Sequence, residues 1–355
     1  MIVGLLAAGV ACKDKAPDPT PTEAPVEITG LAAVPASVRV VLGIDVEAIS
    51  GSWLVKRAVE QMFARDPGLE ARIAQLVDTC GVDPGADLRH LIIALGSGPA
   101  EGEALMVATG VFSEPQISSC IKESVTEDGG SLTTSQVGGR TIYHASGRDD
   151  RVDSLWLAFG DMSTLVAATS QPMLELALGD GPKVGTAEPM ASWIKRASEQ
   201  ASVWAAGEVD SQIGADLVAL TGGQISAPPR ALYGHLWLKN GLSFQLAAVT
   251  ASPDDAQVLM TQATAQLRVG ALALQRYGLG PVVSKLEASA DDDLMQLRFH
   301  LTEDELRDVL AKLDTTTGED QADTEPDAEP SAGQPGAGSG DAAGDAAGDG
   351  SPNQP

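Results

Sequence analysis

Apolar and polar positions along the chain switch repeatedly between the two-residue period of a strand and the longer period of a helix. The run Ser37-Val-Arg-Val-Val-Leu-Gly-Ile-Asp45 is rich in β-branched residues and predicts a strand. Helices are expected over residues 53–64, closed by Asp66-Pro67, and over 69–80, stopped by Gly81. Residues 88–96 and 104–112 predict a strand pair around a Gly/Pro turn. Ser113 and Gln116 then have the spacing of a helix capping box. Strand patterns return at 141–144, 155–159 and 165–168, followed by a short helix at 172–178.

A helix over 186–200 is expected to join this half to a second that follows the same plan. Residues 202–210 resemble 37–45, each with a Gly shortly before an Asp, and a short helix runs to Leu220. Residues 232–238 and 242–250 predict a hairpin across Lys239-Asn240-Gly241, a strong turn signal. Ser252-Pro253-Asp254-Asp255 opens a long helix with a cap, a proline in the first turn and acids on the positive helix end. Its stripe from Ala256 through Met260 and Leu267 to Leu274 buries one face. Residues 282–288 and 294–301 pair across Asp291-Asp292-Asp293, and Thr302 with Glu305 caps a last helix. The fold class is therefore α+β. Two similar β-α-β-β-α-β-β-α halves are expected, with mainly antiparallel sheets and helices packed on one face.

Charge narrows the partners. The chain has 355 residues and a formal net charge of −26, with only 13 aromatic side chains (5 Trp, 3 Tyr, 5 Phe). Nucleic acid requires cationic surface and stacking platforms, so it is excluded as a partner class. Residues 314–355 carry ten acids and no Lys or Arg. Their period-four Gly-Asp-Ala-Ala repeat offers only methyl groups to a core, so an acidic, disordered Gly/Ala/Asp/Pro tail is expected there.

The N-terminal pattern gives an address. Residues 1–11, MIVGLLAAGVA, are apolar throughout and too short to span a bilayer. Cys12 follows, then a Pro-rich polar stretch ending at Pro25. This order resembles a bacterial lipoprotein signal, although Gly9 stands where a Leu-like residue is usual and no cationic segment precedes it. The resemblance implies lipidation at Cys12 and a place in the cell envelope, facing the periplasm from the inner or the outer membrane. Residues 1–11 then read as a truncated signal peptide and 12–30 as lipidation site and tether. With Cys12 so assigned, Cys80 and Cys120 remain, and an exported chain favours a disulfide between them over two separate buried thiols. The stretch around Val34-Pro35-Ala36 loosely resembles uncharacterised exported bacterial proteins with no assigned activity.

Candidate chemistry is sparse. His90, His144, His235 and His300 all fall in predicted strands, and no zinc spacing or His-Glu-x-x-His is present. His90 and His235 occupy matching strands, where a shared metal across a pseudo-two-fold axis is the sharp reading and hydrogen-bonded strand histidines the expected one. No nucleophile elbow or phosphate loop exists, and Gly96–Gly102 reads as a turn. Asp291–Asp293 lacks the Gly and distal Glu of a calcium loop. No cofactor, metal or catalytic residue is therefore expected, and the chain reads as a non-enzyme. The body divides into halves at 31–185 and 186–313. The expected role is a lipid-anchored envelope module for binding or scaffolding. The alternative is a carrier of a lipid or other apolar ligand, held beneath the helix from Met260 to Leu274.

Overall fold

The computed structural model describes residues 28–96, 102–127, 129–147, 154–160, 163–199, 201–275 and 278–322. Cys12 and the leader, most of the tether, the centre of the 96–102 turn and the tail beyond residue 322 lie outside these. The strands are β1 (Val38–Asp45), β2 (Leu88–Gly96), β3 (Ala104–Gly110), β4 (Ser131–Val137), β5 (Arg140–Ser146), β6 (Leu155–Phe159), β7 (Thr164–Ala168), β8 (Val203–Glu208), β9 (Ala231–Trp237), β10 (Gly241–Val249), β11 (Glu287–Asp291) and β12 (Leu294–Thr302). The helices are α1 (Val46–Ser50), α2 (Trp53–Arg65), α3 (Pro67–Cys80), α4 (Pro84–Asp87), α5 (Glu114–Glu127), α6 (Gln171–Leu178), α7 (Met190–Ser198), α8 (Ser211–Leu220), α9 (Pro253–Gln275), α10 (Gly280–Val283) and α11 (Glu303–Ala322).

All twelve strands join one antiparallel sheet in the order β11-β12-β10-β9-β8-β1-β2-β3-β7-β6-β5-β4. The seam between the two expected halves is the β1–β8 pair, where Leu42 faces Ala205. Strand order repeats outward from this seam: β1-β2-β3-β7-β6 on one side, β8-β9-β10-β12-β11 on the other. The first side carries β5 and β4 beyond that, at the sheet edge. The two strand-ending aspartates do the same work. Asp45 accepts from Ala48 N at 2.9 Å to cap α1, and Asp210 accepts from Gln212 N and Ile213 N at 2.8 Å to cap α8.

Five sequence expectations change. Helices cover both faces of the sheet, not one. Leu174 of α6 and Ile194 of α7 belong to a core with Val41, Ala94, Ala206 and Ala247 on one face. Ile121 and Val125 of α5 pack with Leu157 and Ala167, and Leu259 and Met260 of α9 pack with Ala248 and Met295, on the other. Strand β4 carries no sequence signal, because Ser-Leu-Thr-Thr-Ser-Gln-Val is polar on both faces, as an edge strand is. Residues 282 and 283 belong to α10, so the last hairpin starts five residues later, at Glu287. Ile28 is already core at 2% exposure, so the body begins inside the segment read as tether. At the other end α11 continues through Ala322.

The two capping boxes form in different ways. Thr302 and Glu305 cap α11 reciprocally, with Glu305 N to Thr302 Oγ1 at 3.4 Å and Thr302 N to Glu305 Oε2 at 3.1 Å. In α5, Gln116 N does reach Ser113 Oγ at 3.4 Å, but the Gln116 side chain turns away. It donates to Cys80 O and Gly81 O, both at 2.9 Å, and so satisfies the end of α3. Cys80 and Cys120 form a disulfide beside this clamp, with Cα atoms 5.0 Å apart.

Candidate functional site: an open apolar trough

Side chains alternate between sheet faces, so register alone traces each row. One row runs Tyr143-Leu157-Ala167-Met106-Ile93-Leu42-Ala205-Gly234-Leu246-Leu297-Ala288 across eleven of the twelve strands. Helix α5 covers its first third and α9 its last third. Among the described residues no helix lies over the middle. There the sheet forms a trough of 540 Å³ floored by Val40, Leu42, Ala205, Leu232, Leu236 and Leu246, with Ile213 of α8 at its rim. That volume falls in the range of small-molecule sites. Leu246 is 41% exposed and Leu95, on the same face, 45%.

Small residues make the floor concave. A Cβ at Gly234 would lie 2.6 Å from Gln245 O, and one at Gly207 would lie 2.9 Å from Val40 Cγ2. On the opposite face the same economy serves packing: the Trp204 indole lies directly over Gly43, where a Cβ would be 2.2 Å from its ring. Tyr233, Ala206 and Ala247 there are buried under α7.

The space expected beneath the 260–274 stretch is not where the trough lies. The first half of α9 packs tightly through Ala256, Leu259, Met260 and Ala263. Its second half runs on to α10 and leaves Val269 64% and Leu272 71% exposed. The trough shares a sheet face with α9 but is lined by none of its residues.

The histidines take separate places. His90 and His235 sit on β2 and β9, which β1 and β8 separate, about 14 Å at the usual strand spacing. His144 stacks on Trp156 at 3.9 Å, and His235 lies tilted on Trp237 at 3.8 Å, where burial lowers its pKa. His300 Nδ1 meets Ser243 Oγ at 2.6 Å, a nucleophile–base pair that strand prediction does not reveal because it forms across β10 and β12. Strand β10 is hydrogen-bonded on both sides, so its N–H groups are spent in the ladder and supply no oxyanion hole beside Ser243. Among the described residues no three His, Cys, Asp or Glu side chains gather as metal ligands. Asp293 is taken by Arg230 at 2.7 Å. Among the described residues, too, no helix is long and apolar enough to cross a membrane.

No family model and no curated protein matches the chain. Among solved structures it is similar to TP0453 in crystal form I, with a TM-score of 0.45 and 13% identity over 82% of this chain and 99% of that one. It is likewise similar to TP0453 in crystal form III, with a TM-score of 0.44 and 12% identity over 79% of this chain and 97% of that one.

Proposed function

We propose that this is a lipid-anchored cell-envelope binding protein whose open sheet face holds an acyl chain or similarly apolar ligand. One observation carries the reading: an uninterrupted apolar trough, concave and of ligand size, on a face otherwise closed by α5 and α9. Solvent-facing apolar surface of this kind marks a binding site in a folded chain. Because the trough is open along its top, a ligand lying in it keeps a polar head in water. Lipidation at Cys12 is part of the same proposal, and an anchor of several acyl chains would hold the trough near a membrane. The rest of the envelope reading, with residence at the periplasmic side of the inner or outer membrane, follows from that anchor.

Titration with dansyl-undecanoic acid tests the site. Leu246→Glu and Ile213→Glu replace exposed side chains that line the trough, so folding is spared, and each is expected to weaken the probe at least about tenfold, the effect of ~1.4 kcal/mol. Leu272→Glu, on the outer face of α9, is the control and leaves binding unchanged. Equal affinity in all three variants overturns the reading. Native mass spectrometry of protein extracted from its own membranes tests the anchor and the alternative together. A lipidated chain carrying an apolar small molecule supports the proposal. A stable complex with a protein and no small ligand favours a scaffold.

A further inference from the structure

A second cavity, unrelated to the trough, opens where the start of β8, the β9–β10 turn and the starts of α2 and α11 converge. It encloses 780 Å³ and is lined by Trp53, Trp237, Lys239, Asn240, Ser202 and Arg307, with Glu303 beside Arg307. Its composition departs from that of the chain. Two of the five tryptophans face one cleft. In a protein of net charge −26, this cleft carries two cations against one acid.

The cations hold different positions. Arg307 is fixed: its Nη2 and Nε donate to Glu303 Oε1 at 2.6 and 3.3 Å, and its guanidinium lies 4.4 Å from the centre of the Trp53 ring. Those bonds leave N–H groups of the guanidinium for another acceptor. Lys239 is exposed at the turn, where Asn240 adopts φ +65° and Gly241 φ +123°. A Cβ at Gly241 would lie 2.2 Å from Leu301 O, so this turn is held in shape and Lys239 is presented at the cleft rim. Among the described residues Lys239 forms no salt bridge.

We infer that this cleft binds an acidic saccharide, a pyranose bearing a carboxylate. An indole offers a flat apolar face to the C–H face of a sugar ring. Asn240, Ser202 and Ser52 offer hydrogen-bonding groups to hydroxyls. Lys239 and the free edge of Arg307 meet the carboxylate. A purely apolar ligand would leave these polar groups unpaired, and a bare anion would leave the Trp237 indole unused.

Tryptophan fluorescence of the full-length protein, titrated with glucuronic acid, glucose and acetate, tests the assignment. Glucuronic acid is expected to bind in the millimolar range and glucose at least about tenfold more weakly. Lys239→Ala, in an exposed turn, should reduce that preference while leaving the thermal midpoint and dansyl-undecanoic acid binding intact. Trp237→Leu should weaken both sugars alike. Acetate binding as tightly as glucuronic acid, equal binding of the two sugars, unchanged binding in Lys239→Ala, or no response to glucuronic acid at 50-fold the protein concentration and above, up to about 50 mM, each overturns the inference.

Discussion

Single side chains set how this fold responds to acid. Glu305 caps α11 and also accepts from Lys285 Nζ at 2.5 Å, which joins the turn after α10 to the start of α11. The Lys285 hydrogen bond, then that from Thr302 N, holds the Glu305 carboxyl down at about 2. A carboxyl with a lowered folded pKa stabilises above its unfolded value and loses that contribution as pH falls through the folded one. For Glu305 the window runs from 4.5 down to about 2. Glu305→Gln keeps an acceptor for Thr302 but removes the charge. Denaturant midpoints should therefore show the wild type more stable at pH 7 and the difference vanishing near pH 2. A difference independent of pH would show that the charge plays no part. Asp255 acts in the same sense. It is 3% exposed, and hydrogen bonds from Ser226 Oγ at 2.7 Å and Ser226 N at 2.6 Å, joined by Ser252 Oγ at 2.9 Å, lower its pKa. It pins the loop before β9 to the start of α9.

Whole elements show where sequence patterning is informative and where it is silent. The α2–α3 pair has only one buried residue among those whose side chains are described, Cys80, and α3 touches the rest of the body mainly through α5. Packing alone therefore holds α3 weakly, and the Cys80–Cys120 disulfide with the Gln116 clamp holds it in place. The bridge spans 40 residues, which the chain-entropy account values at about 4 kcal/mol. Cys120→Ser is expected to destabilise by that order in chemical denaturation and to let proteases cut first between α2 and α3. A loss below about 1 kcal/mol would mean that α3 is held by its packing after all. The disulfide was legible from cysteine number and export pattern. The redirected Gln116 was not, because a capping-box spacing says nothing about a competing acceptor 36 residues away. The two-faced cover of the sheet was legible in part. In β1 and β2, Val-Val-Leu-Gly-Ile and Leu-Ile-Ile-Ala-Leu are apolar at consecutive positions, which a sheet covered on one face does not need. The same run marks the trough, since its second face stays apolar where no helix arrives.

At the scale of the molecule, one sheet and one principal core cross the boundary between the expected halves. Val40–Ile44 of β1 pair with Gly207–Val203 of β8, and the described residues up to Lys312 belong to one compact unit. Val41, Ala94 and Leu105 from one side share a core cluster with Ala206, Tyr233 and Ala247 from the other. Sequence showed the order of elements on each side, but a repeated order does not say whether two sheets stand apart or join edge to edge. That choice rests on β1 and β8, each of which would be an exposed apolar edge if the halves were separate. Unfolding one side uncovers that edge and the shared core, so the sides should melt together. Calorimetry at pH 7 is expected to give a single transition whose calorimetric and van't Hoff enthalpies agree. Val41→Ala, buried at the seam, should move that whole transition to lower temperature rather than split it. Two resolved transitions, with only one displaced by Val41→Ala, would show that residues 31–185 and 186–313 fold as independent halves and that the β1–β8 pair is a docking contact between them.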